Sequence, residues 1–224
     1  MHIQELTIYT SQLSEQISFY SNILGLKTVK ENHDSVSYGI GHSILTFQHA
    51  PETTPYHFAI NIPCNQIEEA LVWAKKNLEI LPFEGSEIQN FNSWNARAFY
   101  FYDRDKNIVE LIARQNLHNE SNDVFSEHSF LEISEIGLPV DDIAPVYRYI
   151  HRSTGLDIYS GDIDRFCAIG NEHGLFVCIN KHKKDWIPTM EKAYSSAFEL
   201  QFAHNKKEWI IEFNGQEPEI KSLK

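Results

Sequence analysis

The sequence predicts an α+β protein assembled from repeated βαβββ modules, and two observations carry that prediction. The first is that the chain contains a copy of its own beginning. Glu5, Phe19-Tyr20 and Gly25-Leu26 recur at identical offsets as Glu135, Tyr149-Ile150 and Gly155-Leu156, the mark of a duplicated supersecondary unit. The second is that each copy holds one stretch with helical apolar spacing followed by several short strand-like runs divided by turn residues. A chain of 224 residues has room for two domains of about 100 to 130 residues with real cores, and the duplication favours that division.

The elements follow in order. Ile3 to Tyr9 reads as a strand. Ser11 or Ser14 then caps a helix with Leu13, Ile17, Tyr20 and Leu24 on one face, and Gly25 stands where it must stop. Thr28-Val29, Val36 to Ile40 and Ser43 to Phe47 are short strands separated by turn residues, which completes one βαβββ unit. Beyond the connection Pro51 to Pro55, Tyr56 to Ile62 opens a second unit. Its helix carries Ile67, Leu71 and Ala74, with Asn65 and Glu68 spaced as a capping box, and Ala98 to Tyr102 and Ile108 to Ile112 form a hairpin. Residues 1–115 are therefore expected to form one complete two-module domain. Residues 116–129, polar and rich in Asn, Ser, His and acids over Asn116 to Glu127, read as a linker. The expected second domain, 130–224, repeats the first strand at Glu135 to Val140. Asp141 or Asp142 caps its helix, Pro145 falls in the first turn, and strands follow near Arg165 to Ile169 and Gly174 to Ile179. Its last module is truncated: between Ala197-Phe198 and Trp209 to Phe213 there is room for a hairpin and none for a helix.

Composition narrows the classes of function. A formal charge of −12, from 31 acidic against 19 basic residues, repels nucleic acid and anionic membrane surfaces. Cys64, Cys167 and Cys178 sit in apolar stretches without metal-ligand spacing and read as reduced thiols. The N-terminal alternation of polar and apolar residues is unlike a signal peptide, and no apolar run approaches the roughly 20 residues that span a bilayer. The expectation is a cytoplasmic protein whose partner is a small molecule.

The four modules, with Phe19-Tyr20 followed by Ile23-Leu24-Gly25-Leu26 and with the run Tyr100 to Leu111 (YFYDRDKNIVEL), resemble the vicinal oxygen chelate superfamily of glyoxalase I, fosfomycin-resistance enzymes, bleomycin-resistance proteins and extradiol dioxygenases. The resemblance covers residues 1–115 and, more weakly, 130–214. It implies that paired modules curve into a sheet around a cleft holding a divalent metal ion, with ligands from the first and last strand of each module. Carried over by position, Glu5, His57 and Glu110 become the ligands, and the fourth position falls on apolar Ile44 or Leu45. Two carboxylates and one imidazole suit Mn, Fe, Zn or Ni. The resemblance further implies Thr7 and Tyr100 as hydrogen-bond donors to substrate. It disfavours fosfomycin modification, because Asn90 and Trp94 stand where phosphonate ligands belong. In the family, modules pair either within one chain or across a homodimer.

Strand parity provides an independent test, since residues two apart share a face. Glu5 shares its face with Thr7 and Tyr9, His57 with Ala59 and Asn61, and Glu110 with Ile108 and Ile112. Taken alone, His57 reads as a core histidine bonded to a backbone carbonyl and Glu110 as a solvent-facing strand residue. Trp94, Arg97, Tyr100 and Tyr102 offer an aromatic wall for a small organic ligand. The second half, without an imidazole at Ala197 and with only Glu135 and Glu212 as carboxylates, reads as structural or as a lid. Two functions from different classes result: a metal-dependent enzyme that chelates vicinal oxygens, as a lyase, isomerase or ring-cleaving dioxygenase, or a non-catalytic protein of the bleomycin-resistance type that sequesters a small molecule.

Overall fold

The computed structural model describes residues 1–223. The first module comprises β1 (His2–Thr10), α1 (Leu13–Ser18), β2 (Thr28–Glu31), β3 (Ser35–Ile40) and β4 (Ser43–His49). The second comprises β5 (His57–Ile62), α2 (Ile67–Ala74), β6 (Ile80–Leu81), β7 (Gln89–Phe91), β8 (Ala96–Tyr102) and β9 (Ile108–Arg114). The third repeats the pattern with β10 (Glu132–Val140), α3 (Ile143–Thr154), β11 (Ile158–Gly161), β12 (Phe166–Asn171) and β13 (Gly174–Asn180). The fourth is a helix-free meander of β14 (Phe198–His204), β15 (Lys207–Phe213) and β16 (Pro218–Ser222), truncated as its sequence predicts.

Pairing of the modules corrects the domain expectation. One sheet runs β16-β15-β14-β1-β4-β3-β2, and the other runs β11-β12-β13-β10-β5-β9-β8-β6 with β7 on β8. The first module thus joins the fourth, and the second joins the third. Residues 1–115 do not form a closed two-module unit; they supply half of each sheet. The reason lies in the edges: β1 meets β14 and β5 meets β10, each pair antiparallel, so each first strand finds its partner outside its own half of the chain. The segment between β9 and β10 links two modules of one sheet instead of separating domains. It is fastened to α2, where Asn65 bonds Ser121 in both directions, Gln66 Nε2 donates to the Asp123 carbonyl, and Phe125 is buried. Asn65 therefore does not cap α2 as expected, and Gln66 takes the cap position without a side-chain bond.

The third module shows the clearest local logic. The Asp142 carboxylate accepts from Ala144 N–H at 3.0 Å to cap α3, and Gly155, at φ 78°, closes it. The two sheets and their helices share one continuous core in which Leu6, Ile8, Phe58, Ile60, Ile136, Leu138, Leu200 and Phe202 are fully or almost fully buried. The sheets are also stitched by polar contacts: Ser43 Oγ donates to Ile3 O at 2.7 Å and accepts from Ile133 N–H at 3.0 Å. On β1 and β10 the alternate residues, Glu5 with Thr7 and Glu135 with Gly137, face away from this core into the concave side of their own sheet, as strand parity requires. No helix among the described residues is long and apolar enough to cross a membrane.

Candidate metal centre

Three neighbouring strands of the second sheet, β10, β5 and β9, bring three ligand-type side chains together. The register sets Glu135 opposite Ala59 and Ala59 opposite Glu110, with His57 two residues earlier on the same face of β5. His57, Glu110 and Glu135 are all buried, and one ligand atom from each lies within 4.8 Å of the others. His57 Nε2 is 3.5 Å from Glu110 Oε2 and 4.0 Å from Glu135 Oε2.

The protonation of this group follows from its contacts. His57 Nδ1 lies 3.1 Å from the Ile108 carbonyl, which can only accept, so Nδ1 carries the proton. Burial lowers the His57 pKa to about 4, which leaves a neutral ring whose Nε2 lone pair faces two carboxylates. Burial, and after it the charge of Glu135, raises the Glu110 pKa well above the ordinary carboxylate range; burial likewise raises that of Glu135, against the pull of the Arg114 guanidinium. Arg114 Nη2 donates to Glu135 Oε1, and its Nε donates to Asn61 Oδ1 at 3.1 Å. Tyr100 is directly opposite Glu110 in the ladder and buried beside it.

These residues fit a divalent ion. Three ligand-type groups converge, with His57 Nε2 at 3.5 and 4.0 Å from the two carboxylates, longer than a well-formed hydrogen bond. Ligand bonds of about 2.1 Å would set neighbouring donors about 3.0 to 3.5 Å apart. One guanidinium cannot balance two carboxylates, so the pair must share a proton or hold a cation. The position on β13 beside Glu135 is Leu175, fully buried and apolar, so no fourth protein ligand comes from that strand.

The group opens on a cavity of about 370 Å³. Phe91, Trp94, Phe166 and Trp186 wall it, and Arg165 and Lys184 contribute the positive charge. The Trp186 ring lies 4.8 Å from that of His57. It comes from the irregular segment that joins β13 to β14, and Gly137 makes room for it. A Cβ at Gly137 would fall 2.7 Å from Trp186 Cζ2, closer than packing tolerates.

The sequence-predicted site residues divide between two places. The structure brings His57, Glu110 and Tyr100 together, and His57 Nδ1 lies against the Ile108 carbonyl. Glu5 and Thr7 lie elsewhere, because β1 belongs to the other sheet. There they line a polar cleft with Tyr9 and Thr46, whose hydroxyl donates to Glu5 Oε1 at 2.9 Å. Beside His57 and Glu110 stands the repeat of Glu5, Glu135. The second half of the chain is therefore part of the site and not only a lid. In the first sheet Glu5 is opposite Gln201 and Gln201 opposite Ile210, so Glu199 and Ile210 stand where the second sheet has His57 and Glu110. Ala197 and Glu212 are not the equivalent positions. Ile44 pairs with Glu5 as Leu175 does with Glu135, which leaves the fourth position apolar in both sheets. Of the expected aromatic wall, Trp94 and Tyr100 line the cavity, whereas Arg97 pairs with Glu68 on the surface and Tyr102 donates to Glu191 at 2.6 Å. Arg114, Glu135 and Trp186 escaped the reading of the sequence, although parity from Glu110 leads to Arg114 and the internal repeat had already marked Glu135.

No protein-family model and no curated protein matches this sequence. Solved structures do match. A proposed dioxygenase from Bacillus subtilis is similar over 99% of this chain and 84% of its own, with a TM-score of 0.64 at 14% identity. A glyoxalase I variant from Zea mays is similar over 99% of this chain and 92% of its own, with a TM-score of 0.59 at 12% identity. The chain has the fold of the vicinal oxygen chelate superfamily, paired modules curved around clefts.

Proposed function

We propose that a chain with this fold acts as a metal-dependent enzyme of the vicinal oxygen chelate type, with His57, Glu110 and Glu135 as ligands in place of the set that includes Glu5. The convergence of one imidazole and two carboxylates, all buried, on an aromatic cavity carries this reading. A divalent ion held there would supply Lewis acidity to two neighbouring oxygens of a small substrate.

The chain's own residues define the rest. His57 is held in one tautomer by Ile108 O, so its Nε2 is permanently an acceptor. Arg114 holds Glu135 in place and offsets part of its charge. Tyr100, opposite Glu110, stays protonated, because burial, and next the charge of Glu110, keeps its pKa well above the ordinary phenol value. Trp94, Phe166 and Trp186 exclude water and pack a planar, apolar body, while Arg165 and Lys184 attract an anion. The substrate class is therefore a small anionic organic molecule with vicinal oxygens. The fold hosts lyases, isomerases and dioxygenases alike, so the reaction must be argued from the site.

The aromatic lining also favours a second reading, a protein that sequesters an apolar ligand without chemistry. Elemental mass spectrometry of protein purified without added metal or chelator separates the two. The enzyme reading expects wild type to hold one ion per chain more than His57→Ala. Equal metal content in the two, with ligand binding intact in the variant, would transfer the proposal to sequestration.

A further inference from the structure

Away from the aromatic cavity, a second group of metal-type donors stands at the seam between the two sheets. His2 opens β1 of the first sheet, Glu132 opens β10 of the second, and His173 lies in the tight turn between β12 and β13. Their donor atoms all lie within 4.8 Å of one another. His173 Nδ1 is 2.7 Å from Glu132 Oε1, His2 Nδ1 is 3.7 Å from Glu132 Oε2, and the two imidazoles lie side by side at 4.4 Å.

We propose that His2, Glu132 and His173 form a second divalent-metal site, selective for zinc-like ions, that clamps the two sheets together. Two imidazoles and one carboxylate are a donor set for zinc, nickel or copper and a poor one for magnesium or calcium. The carboxylate is fixed in advance: Glu132 is buried, and Asn61 Nδ2 donates to its Oε1 at 3.0 Å. The amide orientation of Asn61 is itself set, since its oxygen accepts from Arg114 Nε while its Nδ2 also reaches the Glu172 carbonyl at 2.9 Å. The imidazoles supply access. The His2 side chain is 59% exposed and that of His173 41%, so an ion enters from solvent and keeps water in its remaining positions. The turn carrying His173 is held by its N–H to Asn171 Oδ1 at 3.1 Å.

The site shares no ligand with the buried cluster, to which Asn61 and Arg114 connect it through hydrogen bonds. The test uses the full chain stripped of metal and titrated with zinc by calorimetry and thermal melting, as wild type, His57→Ala, His173→Ala and His2→Ala/His173→Ala. The exposed imidazoles can be replaced without disturbing the core. In His57→Ala zinc still binds once and, at 100-fold excess over Kd, raises Tm by about 5 °C or more. His173→Ala weakens this binding at least tenfold, and the double variant binds one zinc fewer than wild type. Equal zinc stoichiometry in wild type and the double variant overturns the proposal, whatever the buried cluster does. If His57→Ala does not fold, the ring resonances of His2 and His173 in wild type decide: zinc shifts both saturably at one equivalent of the weaker site, and no shift refutes the clamp.

Discussion

The two concave faces of this molecule share one plan, and among the described residues only one of them brings three metal-type donors together. Each is centred on a first-strand glutamate, Glu5 in one sheet and Glu135 in the other, each beside an apolar residue on the parallel neighbour. Around Glu135 the antiparallel partner adds His57 and the next strand adds Glu110; around Glu5 the same positions hold Glu199 and Ile210. The Glu5 carboxylate is satisfied by the Thr46 hydroxyl in a polar cleft, whereas Glu110 and Glu135 are buried with raised pKa values. A glutamate at this position of the scaffold thus joins a convergent donor group where the antiparallel strand beside it contributes an imidazole. Its own sequence context does not decide the matter.

The comparison can be broken most forcefully at Arg114. Replacing it with Met should cost about 3 to 5 kcal/mol of stability in the metal-free protein, because the buried carboxylates lose their only guanidinium. The cost should grow with pH, since protonation of the carboxylates relieves it at low pH. Denaturant unfolding at two pH values measures both, and a loss that does not vary with pH would show that Arg114 acts by packing alone. Next in size, Glu135→Gln should weaken binding of the central ion about 100-fold or more, near 2.7 kcal/mol. Titration of that variant beside Glu5→Gln distinguishes the two glutamates directly, and equal effects would sink the asymmetry.

A smaller effect of opposite sign is expected for Glu110→Gln, which should stabilise the metal-free protein at pH 7. The sign follows from linkage. Folding raises the Glu110 pKa, so the folded state keeps a proton that the unfolded chain gives up, and stability falls as pH rises past the ordinary carboxylate value toward the folded one. His57 acts the other way: its folded pKa of about 4 lies below the ordinary value of 6.5, so stability is gained as pH rises between the two. The variant should keep the His57 rise and lose the Glu110 fall. Unchanged melting from pH 5 to 8 would contradict the assignment. Smallest of all, Glu5→Gln should alter stability by less than about 0.5 kcal/mol and leave metal content untouched.

Much of this was legible from residue order. The internal repeat marked the modules, parity placed Glu5, His57 and Glu110 on cleft-facing sides, and the short spacing before Trp209 foretold the absent helix. Module partnership was not legible. Strand pairing across the chain depends on which edges find each other in three dimensions, and the polar stretch after Gln115 looked like a boundary although its Asn and Ser side chains tie it to α2. Mispairing the modules assigned Glu5 to the wrong sheet. Trp186 was hidden for another reason: it lies in an irregular segment without periodicity, and its place depends on the absent side chain of Gly137.

The nesting of one module pair inside the other also dictates an order of assembly. Residues 57–180 contain every strand of the second sheet, so that sheet can close while the rest of the chain is still unpaired. β1 must wait for β14, with partners as distant as His2 and Ala203, and closing so long a loop is entropically slow. Until it closes, β1 presents an open edge able to pair with another chain. The cleft with the converging donors is thus encoded by contiguous sequence, and the other sheet depends on the long-range pairing of β1 with β14.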